Sequence, residues 1–488
     1  MAAASRADSV APDTVVVWQA QPGPQAALIS CPIEDIFFGG ARGGGKTDGS
    51  LGDWLSHQEE AGGFARGIFF RRTYDELEEA LDRATELFTP LGARYKASKR
   101  VWIFPNGARL KFRRLERDRD ASRYQGHQYT WVCFEELTQW ASADPVDKLR
   151  ACLRNGKAPV QKRFLATGNP GGVGHNWVKA RYIDPAPPFT PFFDSDQEVW
   201  RVFIPSRLDD NLALQQNDPD YWKRVKASAG GNEALLQAWR FGNWDIVAGG
   251  MLDDLFRRGV HVLKPFPVPA SWYVDRSFDW GDSKPFSVGW WAQSDGTPAA
   301  LADGQVRHFP RGTLFRIGEW YGCVAGKPNK GLKLLAPDIA KGIKEREAKL
   351  GCVAKERIKP GPADGMIFDT GKIENTRSLA DVMSANGVRW TQADKSPGSR
   401  KVGWQRLREY LSAALPKYDP EERLLPMEAP GLFVFENCTQ WIRTVPVLPR
   451  DESDTDDVDS DAEDHAGDET RYRLLARRGQ VGKMEFLI

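Results

Sequence analysis

The run Gly40-Ala41-Arg42-Gly43-Gly44-Gly45-Lys46-Thr47 fits G-x-x-x-x-G-K-T, a spacing suited to holding a chain of phosphates. Glycines let a backbone turn its N–H groups inward around phosphate oxygens. Gly40, Gly43, Gly44 and Gly45 are therefore expected to form a cradle for ATP. Lys46 is expected to reach the β- and γ-phosphates, and the Thr47 hydroxyl to bind Mg²⁺. A second group follows in Trp131-Val132-Cys133-Phe134-Glu135-Glu136, an apolar run ending in two acids. Glu135 is expected to hold the Mg²⁺ shell and Glu136 to polarise an attacking water, the two tasks hydrolysis adds to binding. Thr167-Gly168-Asn169-Pro170 closes a third apolar run. A small polar residue there can sense the γ-phosphate, although Gly-Asn-Pro is equally strong turn chemistry. Gln25, on the approach to the first apolar run, has an amide suited to reading an adenine edge. Arg42 is the candidate for neutralising, in cis, charge that develops on the transferred phosphate. Arg71 and Arg72 sit at a strand end on the same edge and are candidates for structure, catalysis or DNA contact.

A different chemistry is suggested by acids further on. Asp279 lies in Phe278-Asp279-Trp280-Gly281-Asp282, and Asp364 in Gly361-Pro362-Ala363-Asp364-Gly365. Asp464 and Asp468 are four apart at the start of an expected helix and would share one face. Three carboxylates from two strands and a helix suit two-metal phosphodiester cleavage. Oxygen ligands favour Mg²⁺ or Mn²⁺. Read singly, each acid is equally a turn residue or part of a solvated loop. Glu319, Asp369 and Asp282 are possible substitutes.

The elements that must position these residues alternate along the chain. Ile36-Phe37-Phe38 reads as a buried strand and Thr47 to Leu55 as the opening of a helix. Gly67 to Arg72 reads as a strand and Thr73 to Phe88 as a helix with Leu77, Leu81 and Leu87 on one side. Pro105-Asn106-Gly107 marks a hairpin. Tyr129 to Phe134 and Arg163 to Ala166 are further strands, so the expected class is α/β with a parallel-rich sheet. Ala248-Gly249-Gly250 breaks the pattern. The expected division is an arm over 1–24, an ATPase domain over 25–248, a linker over 249–256 and a second domain over 257–488. In that domain Trp272 to Asp279 and Phe286 to Ala292 read as antiparallel strands, and Leu314 to Trp320 as a third. Pro337 to Leu350 reads as a helix, Ile358 to Phe368 as holding a further strand, and Thr376 to Ala385 as a short helix.

Bulk properties are those of a soluble globular chain: 488 residues, 41% hydrophobic, 27% charged, net charge +1. The balanced charge leaves nucleic-acid binding to local clusters. Candidates are Arg109, Lys111, Arg113, Arg114 and Arg117, and in the second domain Arg400, Lys401, Arg406 and Arg408. Six scattered cysteines form no C-x-x-C pair, which argues against a zinc site or disulfide framework. No signal peptide or membrane span is expected.

Taken in order, these pieces resemble the large terminase subunit of tailed bacteriophages. They are the Gly40–Thr47 loop, Phe70-Arg71-Arg72-Thr73-Tyr74, Tyr124-Gln125-Gly126, Glu135-Glu136 and Thr167-Gly168-Asn169-Pro170. Arg240-Phe241-Gly242-Asn243-Trp244, Asp279-Trp280-Gly281, Gly361-Pro362-Ala363-Asp364 and Glu463 through Tyr472 complete the set. The resemblance implies an N-terminal P-loop ATPase of the additional-strand (ASCE) type and a C-terminal RNase H-like nuclease. It implies a motor that moves double-stranded DNA into a procapsid and cuts it. Its partners would be a portal ring, a small terminase subunit and further copies of the chain in a ring. It would act in the host cytoplasm, docked on the procapsid, and would be absent from the mature virion. Asp279, Asp364 and Asp468 become the nuclease acids by matching motif, and Glu136 the ATPase glutamate. The chain departs from the family in carrying Glu135 where Asp is usual, and Glu469-Thr470 where a more apolar pair is common. The choice between Asp464 and Asp468 stays open. The alternative reading is a helicase-like ATPase whose second domain binds nucleic acid without cutting it.

Overall fold

The protein is described by a computed structural model covering residues 16–228, 236, 239–244, 250–370 and 377–476. The expected arm up to residue 15, the boundary residues Ala248 and Gly249, and Thr376 lie outside the described residues. The chain divides into two compact units. One holds the described residues up to Asn169, those from Arg181 to 228 and Trp239–Asn243. The other holds Pro170–Ala180, Leu236 and the described residues from Trp244 onward. Among the described residues no helix is long and apolar enough to cross a membrane.

The first unit is built on nine strands: β1 (Asp35–Gly40), β2 (Arg66–Arg71), β3 (Arg94–Lys96), β4 (Val101–Ile103), β5 (Arg109–Arg114), β6 (Trp131–Phe134), β7 (Arg163–Gly168), β8 (Phe192–Asp194) and β9 (Val199–Ser206). They lie in the order β3-β4-β5-β2-β6-β7-β1-β9-β8. The strands from β5 to β9 run parallel, with antiparallel strands only at the edges. β1, β6 and β7 are buried throughout, as strands covered on both faces must be, which accounts for their continuous apolar runs. β7 stands between β1, which leads into the Gly-rich loop, and β6, which leads to Glu135-Glu136. That intervening strand defines the ASCE arrangement.

Helices α1 (Pro24–Ser30), α2 (Lys46–Ala61) and α3 (Asp75–Phe88) belong to this unit. The middle of α2 is tied to the sheet by buried polar contacts. Arg163 at the start of β7 pairs with Asp53 at 2.7 Å, and Trp131 Nε1 donates to the same carboxylate at 2.8 Å. Arg163 also donates to the carbonyls of Cys31 and Ile33 at 2.7 and 2.8 Å. The helix that carries Lys46 and Thr47 is thereby held in place along its axis.

The second unit contains β10 (Val262–Leu263), β11 (Tyr273–Asp279), β12 (Ser287–Gln293), the ribbon β13 (Ala299–Ala300) and β14 (Val306–Arg307), β15 (Leu314–Tyr321), β16 (Ile358–Lys359), β17 (Pro362–Ala363), β18 (Thr391–Gln392) and β19 (Leu432–Phe435). The main sheet has the order β10-β19-β15-β12-β11-β17-β18. β15, β12 and β11 are mutually antiparallel, while β17 and β18 continue parallel to β11. Three antiparallel strands extended by two parallel ones form the RNase H-like sheet. The strand expected within Ile358 to Phe368 is present as two short strands, β16 and β17, followed by a 3₁₀ turn, Gly365–Phe368. Pro360 and Pro362 lack ladder N–H groups, and the Asp364 carboxylate accepts from Met366 N at 2.8 Å to start the turn.

Arg163→Ala leaves the Asp53 carboxylate buried without its cation. Such losses cost about 3–5 kcal/mol, whereas replacing both partners by apolar residues is far milder. Urea unfolding should show a lowered midpoint for Arg163→Ala, with much of it recovered in Arg163→Met/Asp53→Leu.

Candidate nucleotide site and carboxylate centre

At the end of β1 the chain turns through the loop and enters α2. Gly45 caps α2 with φ of +73°, a conformation that side chains disfavour. A Cβ on Gly44 would lie 2.5 Å from Ser206 Oγ. Lys46 is buried, and its ammonium donates to Ala41 O and to Asn169 Oδ1, each at 2.7 Å. Burial pulls the Lys46 pKa down, while the charges of Glu136 and Glu135 oppose that shift. Asn169 Nδ2 in turn reaches both Glu136 carboxylate oxygens at 3.2 Å. Glu136 has left-handed backbone angles (φ 57°, ψ 55°), rare for a residue with a side chain and concentrated at functional sites. A continuous chain therefore links the loop lysine, the tip of β7 and the second acid of β6.

The Thr47 hydroxyl donates to Glu135. Arg71 Nε approaches the other Glu135 oxygen at 2.9 Å as an ion pair, and that oxygen has no hydrogen-bond partner. Burial raises the Glu135 pKa despite Arg71. A hydroxyl and a carboxylate facing each other at the loop are hard oxygen donors of the kind Mg²⁺ takes, so Thr47 and Glu135 fit that ion.

Two expectations change. The Gln25 amide lies beneath the loop: Nε2 donates to Gly45 O at 3.0 Å and Oε1 accepts from Gln21 N at 3.0 Å. It braces the loop rather than presenting itself to an adenine, because α1 packs it under Gly45 and leaves it only 3% exposed. The Arg42 guanidinium stacks 4.7 Å from the centre of the Trp239 ring, and its backbone N–H donates to Trp239 O at 3.2 Å. An exposed loop cation gains from an indole face, so Arg42 rests there instead of on the phosphate cradle. Arg71 is the arginine in contact with Glu135, and Arg72 donates to Gln139 O.

In the second unit, β11 and β17 end side by side. Phe278 pairs with Ala363, and Asp364 N donates to Phe278 O at 2.9 Å, so Asp279 and Asp364 occupy neighbouring strand ends. The helix His465–Leu475 packs against β11 and β12, with Asp464 at its N-cap and Asp468 in its first turn. Tyr472 Oη donates to Asp279 at 3.3 Å, and His465 Nδ1 lies 3.4 Å from the other Asp279 oxygen. Each remaining acid has a cation. Lys395 pairs with Asp364, Arg471 with Asp468 at 2.7 Å, and Arg400 with Asp464 at 3.1 Å.

Burial pushes the Asp279 pKa up to about 6, with the charges of Asp468 and Asp364 adding to the rise. Burial and the neighbouring Asp468 push Asp464 up to about 7. Burial also works to raise Asp468, but Arg471 outweighs it and the net shift is down. The four acids thus feel one another. Among the described residues, no three His, Cys, Asp or Glu side chains are drawn into a ready metal cage. In kind, the donor set of carboxylates fits Mg²⁺ or Mn²⁺. Glu319 is not part of this centre: it accepts from Gln440 N at 2.6 Å and Trp441 N at 3.0 Å.

Among the basic candidates, Arg400, Lys401 and Arg408 are paired with Asp464, Asp454 and Asp254. Arg113 donates to the carbonyls of Lys99 and Arg100, and Arg114 lies 3.4 Å from Glu116. Arg109 and Arg117 are exposed. Reading the sequence alone missed Lys395 and gave no role to Arg471 and His465, which it held only within the Glu463 to Tyr472 stretch. Their only sequence signal was proximity of Arg471 and His465 to Asp468.

A carboxylate with a raised folded pKa holds extra protons in the folded state. Its stabilising contribution is complete below pH ~4 and is lost as pH rises through the folded value. Asp279 and Asp464 therefore weaken the second unit between about pH 4 and 7, while Asp468 has the opposite sign and loses its contribution only in stronger acid. In EDTA, Asp279→Asn should resist urea better than the parent at pH 8, and the gain should shrink at pH 5. A gain independent of pH would show that Asp279 is not held in this cluster.

Residues 37–253 match the family described as terminase large subunit, T4likevirus-type, N-terminal. No curated protein matches the sequence. Among solved structures the chain is similar to the large terminase of a thermophilic bacteriophage in complex with ADP, at 16% identity over 92% of this chain and 98% of that one, with a TM-score of 0.38. The HK97 bacteriophage large terminase is similar at 12% identity over 92% of each chain, with a TM-score of 0.40. The P22 large terminase nuclease domain is similar at 15% identity over 45% of this chain and 89% of that one, with a TM-score of 0.30.

Proposed function

We propose that this chain, whose residues 37–253 match the terminase large-subunit family, is a member of that family, an ATP-driven DNA-packaging motor with its own endonuclease. The observation that carries the motor is the linked set Lys46, Asn169 and Glu136. Lys46 would bind the terminal phosphates of ATP, leaving Asn169 to report whether Lys46 is engaged. Glu136, held by Asn169, would orient the attacking water and take its proton. Thr47 and Glu135 would hold Mg²⁺, which neutralises phosphate charge. Arg71 keeps Glu135, one methylene longer than the family's usual Asp, turned toward Thr47. Arg42 would act on the transferred phosphate only after leaving Trp239.

The carboxylate centre supports DNA cleavage. Asp279, Asp364 and either Asp464 or Asp468 would hold Mg²⁺ or Mn²⁺, which activates water and stabilises the leaving oxygen in phosphodiester cleavage. Arg471 keeps Asp468 ionised and oriented, and Lys395 orients Asp364. Substrate and partners follow from the family reading: double-stranded DNA, a portal ring, a small terminase subunit and a ring of identical chains, at the procapsid in the host cytoplasm. One observation favours the alternative of a non-cleaving second domain, since Lys395, Arg400 and Arg471 already balance the acids.

Lys46→Ala should abolish ATP turnover by the purified chain. Glu136→Gln should keep ATP binding and lose turnover by about 10²–10⁴-fold. Full turnover in Glu136→Gln would sink the assignment of the water-orienting acid. Asp279→Asn should remove Mn²⁺-dependent nicking of plasmid DNA while ATPase activity persists. Undiminished nicking would leave the second domain as a nucleic-acid binder.

A further inference from the structure

Three consecutive carbonyls on the outer side of the phosphate loop are each held by a different side chain. Asn211 Nδ2 donates to Gly43 O at 2.7 Å, Ser206 Oγ to Gly44 O, and Gln25 Nε2 to Gly45 O at 3.0 Å. The donors come from separate places: the residue capping the helix Leu212–Asn217, the last residue of β9, and α1. Ser206 also accepts from Ala41 N through its carbonyl at 2.8 Å.

The direction of the Asn211 amide is set by its other contacts. Its Oδ1 accepts from Leu214 N at 3.1 Å and from Gln21 Nε2 at 3.0 Å, which leaves Nδ2 for Gly43. Gln21 is itself fixed: its Oε1 accepts from Ala213 N and its N–H donates to Gln25 Oε1, each at 3.0 Å. Gln21, Gln25 and Asn211 form one network around the back of the loop.

In a trans peptide the carbonyl of one residue and the N–H of the next point to opposite sides. Holding the carbonyls of Gly43, Gly44 and Gly45 outward therefore turns the N–H groups of Gly44, Gly45 and Lys46 the other way, into the cradle. Glycine peptides flip readily, so an unbraced loop would lose part of its binding energy in ordering these donors. We propose that Asn211 and Ser206, together with Gln25, are positioning residues that pre-set three backbone donors for the polyphosphate of a nucleoside di- or triphosphate. This rests on the ATPase reading and assigns Asn211 and Ser206 a part in it.

The test is calorimetric titration of ADP into the full chain, with steady-state ATPase assays beside it. Asn211→Asp keeps the shape and the Leu214 cap but turns the donor facing Gly43 O into an acceptor. The ADP dissociation constant should rise about tenfold, and KM for ATP with it, while kcat falls far less and the melting temperature of the free protein stays close to the parent. Ser206→Ala, which removes one hydroxyl, should weaken ADP in the same sense and gives the same reading if Asn211→Asp does not fold. A folded variant that binds ADP within twofold of the parent overturns the proposal. A parent chain that binds no ADP overturns the ATPase reading itself, and this assignment with it.

Discussion

Charge buried at the end of a strand has to be compensated where it lies, because an isolated ion in a low-dielectric interior is too costly to keep. Both large sheets of this chain end in such charge. In the first, Lys46 lies between Ala41 O and Asn169, and Glu135 between Thr47 and Arg71. In the second, Asp364, Asp464 and Asp468 are matched by Lys395, Arg400 and Arg471. Compensation does more than permit burial. Each pairing fixes the direction of a group whose chemistry depends on direction, and the rest of either site is built around those directions.

The same constraint explains the polar pair Glu469-Thr470 beside Asp468. Glu469 is fully buried and pairs with Arg316, which is equally buried. Ser277 donates to Glu469, and Trp291 Nε1 donates to it at 2.8 Å. Gly289 leaves room for this pair, since a Cβ there would lie 2.3 Å from Glu469 Oε1. Thr470 Oγ1 accepts from Trp441 Nε1 at 2.9 Å. Glu469 and Thr470 are thus polar because they meet polar partners on β11, β12, β15 and the helix Thr439–Thr444. Ser277 is two residues before Asp279, and Glu469 follows Asp468, so the bolt that docks the helix also sets the distance between its acids and the strand's. Such a buried ion pair adds little net stability over an apolar pair. Its effect here is on register.

Both sites combine backbone that is unusually free with side chains that remove the freedom. The loop needs glycines to curve, and Asn211, Ser206 and Gln25 then hold its peptides in one orientation. Asp364 follows two prolines and a glycine, and its own carboxylate starts the turn that presents it. Glu136 occupies left-handed backbone that the tip of β7 supports through Thr167 Oγ1, which accepts from Glu136 N at 3.3 Å.

Much of this was legible from the sequence where the determining chemistry is contiguous. A glycine-rich loop between an apolar strand and a helix, acids closing an apolar run, and a hairpin around Pro105-Asn106-Gly107 are local statements, and backbone sterics and side-chain burial act locally. The antiparallel pairing of the strands around Asp279 and Ser287 was legible for the same reason. The strand expected within Ile358 to Phe368 formed as two short pieces because prolines withdrew ladder donors, and the adenine-reading role of Gln25 gave way to packing by α1. What only the tertiary structure decided was the partner of each charged group. Asn169 meets Lys46 across 123 residues of chain, Arg163 meets Asp53 across 110, and Lys395 meets Asp364 across 31. Sheet order sets those meetings, and strand pairing depends on the burial of whole faces, which no local spacing encodes.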